Sequence, residues 1–277
     1  MTDATLSASP ATDRRLRLMR NDVRTFIARG AIGGLIGGIC AGLFQWLVTE
    51  KPIRAALAVE DALSTSNEPP MFTRGTQVIG GMTAVAIFSI FLGVVFGVVV
   101  AAFWHKLPSG TDFGRAIRVA GAAFFSLALI PASKYPANLP AVGDPNTIND
   151  RSIAYLTLMV ASVALTYGAW WLWQRLAELS PATRFAVTAG TYLLVLTLIF
   201  VVWPATKDPI QNPAVVGGHL AERIVSASVV WRFRLFSLFE NLLSWTVTGV
   251  VFGLLCERAT AKSEAGAQTG ELASATR

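Results

Sequence analysis

Residues Val78–Phe103 read VIGGMTAVAIFSIFLGVVFGVVVAAF, a run without a single charged side chain. The hydrocarbon core of a bilayer is roughly 30 Å thick and takes about 20 helical residues to cross, so this run spans it unaided. No water is available there to pair with amides and carbonyls, and an α-helix satisfies them within its own segment. Further apolar runs lie on either side, at about Ile27–Val48, Ile117–Ile130, Ile153–Trp173, Phe185–Trp203 and Leu235–Leu255. The fold class expected is therefore all-α: a polytopic membrane helix bundle of six transmembrane helices. The count falls to five if Ile117–Ile130, short and entered through Arg115 and Arg118, does not cross. Short amphipathic loop helices are expected at Pro52–Leu63 and Gly218–Trp231.

Composition agrees. Apolar residues make up 53% of the chain and charged residues 14%, which excludes a disordered chain and an ordinary soluble domain. A membrane β-barrel would show short alternating segments, and none is visible. The two cysteines, Cys40 and Cys256, lie in or beside spans and suggest neither a disulfide framework nor a thiolate metal site. The net charge of +6 calls for no nucleic-acid partner. Arginines 14, 15, 17, 20, 24 and 29 precede or open the first span and read as topology signals and lipid-headgroup contacts. The first apolar run is too long for a signal peptide and is expected to be retained.

Three regions follow: a basic, largely disordered cytoplasmic tail over 1–26, a transmembrane domain over 27–258, and a disordered tail over 259–277. Of the 23 Lys and Arg residues, 14 fall on the side of the termini and 9 on the other, so both termini are expected in the cytoplasm. Seven of the eight tryptophans lie at span ends, as an interfacial belt would have them; only Trp245 does not. Glycines recur at four-residue spacing: Gly34, Gly38 and Gly42 with Gly33 and Gly37 beside them, Gly93 and Gly97, Gly249 and Gly253. Such faces let helices approach closely, whether within the chain, against a partner span or in an oligomer.

The loop Pro131–Arg151, PASKYPANLPAVGDPNTINDR, is too rich in proline for a regular helix and too polar and shaped for a plain linker. Tyr135, Asn138 and Asp144 could supply hard oxygen ligands; the plainer reading is hydrogen bonding within the loop. Glu240 is the sharpest intramembrane residue, because an unpaired carboxylate in a span is costly. It reads as a cation or proton site, or as the partner of Arg232 or Arg234. Glu50 and Gln77, at the far ends of the first two spans, could line a vestibule or could merely end helices. His219 and Glu222 stand at helical spacing as a weak metal-ligand pair. His105 reads as a structural residue at the interface.

No P-loop, GxSxG, HExxH, CxxC or dinucleotide fingerprint is present, so no enzyme activity and no cofactor are expected. Two alternatives to transport stay open: a non-transporting scaffold or assembly subunit, and an intramembrane enzyme on a lipid-linked substrate, which would need a pair such as Asp144 with His219.

Several stretches together resemble the CbtA family, described as a predicted cobalt transporter subunit. They are the Gly-rich first span running into Glu50–Lys51–Pro52–Ile53, Arg74–Gly75–Thr76–Gln77, Tyr135–Pro136–Ala137–Asn138 with Val142–Gly143–Asp144–Pro145, and Phe236–Ser237–Leu238 before the polar last span. The likeness covers about Ile27–Leu255. It implies a multi-pass subunit of the cell inner membrane for divalent metal uptake. Cobalt would be the substrate, and a small histidine-bearing companion subunit of the CbtB type the partner. Loops 51–75, 132–151 and 204–234 would form an outer-face vestibule. Many family members carry histidine in the loop after the first span; Lys51–Gly75 has none.

Overall fold

A computed structural model describes residues 10–63, 71–107, 110–139, 148–205 and 225–275. Among these the helices are α1 (Pro10–Phe44), α2 (Glu50–Leu63), α3 (Arg74–Phe103), α4 (Asp112–Phe124), α5 (Ile130–Lys134), α6 (Ile148–Arg175), α7 (Pro181–Val202) and α8 (Ala227–Ala275), with no strand. Six helical segments are long and apolar enough to cross a membrane: Val23–Asp61, Arg74–Lys106, Asp112–Lys134, Ile148–Arg175, Pro181–Val202 and Ala227–Lys262. The third is among them, because helix extends the apolar core Ile117–Ile130 at both ends. The count is six.

Two prolines do something other than expected. Pro52 does not end the first span. A π-helical turn, Gln45–Thr49, leads straight into α2, and the Glu50 amide donates to the Gln45 carbonyl five residues back. A proline ring crowds the carbonyl four residues before it and lacks an N–H, and one widened turn relieves both problems. Pro131 likewise sits inside α5, just after a second π turn at Phe125–Leu129, where the Ile130 amide reaches Phe125. In that register the Ser126 carbonyl would look to residue 131, which has no N–H to give. The hydroxyl of Ser162 on α6 donates to it instead.

Other boundaries follow local chemistry. Ser180 caps α7, accepting the Thr183 amide at 3.3 Å, with Pro181 in the permitted first-turn position. The helix expected at Gly218–Trp231 is not seen as such: Val225 and Ser226 are non-helical, residues 227–231 open α8, and 218–224 lie outside the described residues. The tail expected to be disordered continues α8 to Ala275, through a stretch rich in the helix former Ala. At the other end α1 begins at Pro10, within the tail expected to be largely disordered.

The chain divides into two compact units. One comprises Met1–Cys40, Thr83–Ala120 and Ser244–Arg277; the other comprises Ala41–Met82 and Gly121–Leu243. In the first, α1 presents two glycine faces to two different neighbours. Gly30 and Gly34 meet α3 so closely that a β-carbon on Gly30, Gly34 or Gly93 would collide with a backbone carbonyl of the facing helix. Gly33 and Gly37 face α8, where the Thr248 hydroxyl donates to the Gly33 carbonyl at 3.3 Å. Gly249 and Gly253 of α8 receive α4: a β-carbon there would lie 2.6 Å from Ala120 Cβ and 2.9 Å from Phe113 Cα. These glycines pack against helices of the same chain. Phe252 and Phe96 fill the space beside them, their rings 5.1 Å apart and edge to face, with Trp245 buried against Phe96.

Gly93→Val should cost about 2–3 kcal/mol, read as a lowered thermal midpoint of the detergent-purified chain. Gly190→Ala, whose β-carbon meets nothing within 4 Å, should stay within about 0.5 kcal/mol of the parent.

Candidate intramembrane polar site

The second unit holds every candidate residue that the structure describes. Glu50 opens α2 and is buried, 6% exposed. Its carboxylate takes two bonds from Arg74, at 2.8 and 2.6 Å, and one from Arg54 at 2.9 Å. Arg74 begins α3, and its third branch donates to Gln77 Oε1 at 2.8 Å. Gln77 in turn donates to the Phe72 carbonyl at 3.1 Å. The structure thus brings Glu50 and Gln77 together, through a guanidinium. A carboxylate already held by two arginines has little left to offer a cation, and the arrangement is a clamp of α2 onto the start of α3.

Glu240 is different. It lies on α8, half-buried, and its Oε2 accepts from the Thr49 hydroxyl at 3.4 Å. Among the described residues it forms no ion pair. The pairing with Arg232 or Arg234 does not occur. They stand eight and six residues earlier on the same helix, outside the three- and four-residue spacing that makes helix neighbours. Arg234 instead donates to the Ala137 carbonyl at 3.4 Å and to Asn138 Oδ1 at 2.9 Å.

The π turn explains how Thr49 reaches Glu240. Phe44 already faces α8, with ring centroids 6.3 Å from Phe236 and 5.2 Å from Phe239. In a regular α-helix, at about 100° per residue, a side chain five positions on would point well away. In a turn closed from i to i+5 it returns to nearly the same face. Gln45, on the same π turn, has a buried Oε1 with no hydrogen-bond partner among the described residues. A β-carbon on Gly81 of α3 would lie 3.5 Å from its amide nitrogen, so glycine there leaves the side chain room. Thr49 and Glu240 are two oxygen-bearing side chains in contact, and no Lys or Arg pairs with Glu240 among the described residues. Thr49 escaped sequence reading because only the π register brings it to this face.

The stretch after α5 is fastened at several points. Lys134 donates to the Phe200 carbonyl at 2.6 Å. The Tyr135 hydroxyl donates to the Pro204 carbonyl, and burial pushes this phenol above its usual range. Tyr135 packs with Ala154 and Leu158 of α6 against Ile199, Phe200 and Trp203. Leu139 inserts between Ala56 of α2 and Val230 of α8, with Ile53, Val225 and Phe233 around them. Residues from all three long loops named above therefore meet in one apolar knot. Asn138 is held by Arg234 and serves as an acceptor in this scaffold. Asp144, His219 and Glu222 lie outside the described residues, and with them the Asp144–His219 pair. No cluster of three or more His, Cys, Asp or Glu that could hold a metal occurs among the described residues.

Six candidate spans and arginine–aromatic pairs near span ends, such as Arg184 at 4.1 Å over Trp173, define a polytopic helical membrane protein. Residues 23–257 match the model of the family described as probable cobalt transporter subunit (CbtA), and the chain belongs to that family. No curated protein and no solved structure matches it.

Arg74→Ala removes two of the three bonds to a buried carboxylate. It should cost about 2 kcal/mol, between the values for exposed and buried pairs. Glu50→Gln combined with Arg74→Leu should be milder than Arg74→Ala alone, since the only charge left without its partner is the exposed Arg54. Thermal midpoints of the purified variants decide this.

Proposed function

We propose that this chain is the membrane-embedded subunit of a divalent-cation uptake system with cobalt as its substrate. The observation that carries this reading is the family match over residues 23–257. The residue we assign to the cation is Glu240, with Thr49 beside it and Gln45 one turn before Thr49. A carboxylate inside a span is expensive unless a cation or proton meets it, and here no arginine or lysine does so among the described residues. Cobalt(II) accepts carboxylate and other oxygen ligands but prefers imidazole. The shortage of histidine supports a division of labour in which a companion subunit of the CbtB type captures the ion and this chain conducts it. Loops 51–75, 132–151 and 204–234 would form the outer-face vestibule, with the knot around Leu139 as its rigid floor. Asp144, Tyr135, Asn138, His219 and Glu222 belong to that mouth, and Glu50 and Gln77 to its frame. Both termini would then be cytoplasmic, in keeping with the positive-inside bias. The chain carries no nucleotide-hydrolysis motif, so the ion moves down a gradient or is driven by a partner.

Glu240→Gln should lower radiolabelled cobalt uptake by about tenfold or more, as loss of a group that supports a metal commonly does, with membrane abundance unchanged. Gln45→Leu should lower it less. Wild-type uptake by Glu240→Gln removes the site, and unchanged uptake on deletion of the whole chain removes the function.

A further inference from the structure

The second unit contains a cleft of about 840 Å³ whose walls are the end of the third span, the start of α6 and the start of α8. Its polar lining includes the guanidiniums of Arg151 and Arg234, with Ser133, Asn138 and Ser237. Most of the remaining wall is apolar, built from Leu129, Leu156, Trp231, Leu235 and Leu238. Among the described residues no carboxylate lines it. Two like charges facing one space attract an anion. Where six spans alternate, the end of the third and the starts of the fourth and sixth lie at one membrane face. Arg151 and Arg234 stand within the first three turns of their helices, which is headgroup depth, and the leucines continue toward the hydrocarbon.

We propose that this cleft binds an anionic phospholipid of the surrounding membrane, its phosphate on Arg151 and Arg234 and its acyl chains along Leu129, Leu156, Leu235 and Leu238. Guanidiniums match phosphate oxygens with paired donors, and basic recesses between spans are suited to such headgroups. Trp231, 61% exposed at the start of α8, gives the glycerol region an amphipathic neighbour. The occupant would also tie together elements that protein contacts already join at Arg234 and Asn138. The inference stands independently of the cation reading.

The test is native mass spectrometry of the full chain from mixed micelles containing equal phosphatidylglycerol and phosphatidylcholine. Preferential retention of phosphatidylglycerol is expected, falling by about tenfold in Arg151→Gln/Arg234→Gln, while Arg232→Gln, outside the cleft, retains it. Equal retention of both lipids by the parent chain, or undiminished retention by the double variant, overturns the proposal. Displacement of the lipid by millimolar inorganic phosphate overturns the lipid assignment in favour of a free anion. A photoreactive phosphatidylglycerol applied to the unaltered chain needs no variant to fold. It should label residues within 128–138 and 231–241; labelling spread evenly along α7 overturns the proposal.

Discussion

Helices in a bilayer gain little by hiding apolar surface from one another, because lipid tails are as apolar as leucine. What holds them is close contact. Among the described glycines the tightest approach is backbone against backbone at Gly30, Gly34 and Gly93. The rest of the first unit is organised around it. With α1 drawn onto α3 on one face, its adjacent face at Gly33 and Gly37 takes Thr248 of α8, and α8 in turn takes α4 at Gly249 and Gly253. Each step places a small residue where the next helix arrives, and large aromatic rings fill what remains.

The second unit is built on different physics. Its helices are joined by polar contacts that are strong because so few competitors surround them: Arg74 and Arg54 on Glu50, Lys134 on the Phe200 carbonyl, Arg234 on Asn138, the Trp203 indole on the Ala154 carbonyl at 3.2 Å. In each of these a carbonyl or carboxylate is met by a donor from another part of the chain. Glu240 stands apart from this pattern, satisfied by one hydroxyl and by no charge among the described residues. That contrast, more than burial alone, singles it out as the residue assigned to the cation.

Much of this was legible in the sequence. Spans announce themselves because hydropathy and length are set by the bilayer, and the Ser180–Pro181 start of α7 by its own capping chemistry. The glycine spacing announced close packing but not its partner, since a stripe of small residues looks the same whether it meets the next helix or a second copy. The clamp at Glu50 was half visible: Arg74 and Gln77 stood out beside it, yet nothing local shows that a charge 24 residues away closes on the carboxylate. Glu240 stood out as a carboxylate within a span, but of its two readings the pairing with Arg232 or Arg234 does not occur, because nearness along a chain is not nearness on a helix. The continuation of helix through prolines 52 and 131 escaped sequence reading, since the rule against proline in helices has a local remedy that leaves no periodic trace.

That remedy has a consequence for how the protein can vary. The turn Gln45–Thr49 contains one residue more than a regular helix would use, and the extra residue aims Thr49 at Glu240 beside Phe44. Substitutions there exchange one side chain for another and leave its direction alone. Loss or gain of a single residue would rotate all that follows by about 100° and turn a different row of side chains toward α8. At this point the protein is specified by counting as much as by chemistry, and sequences that keep every residue type but not their number would encode another site.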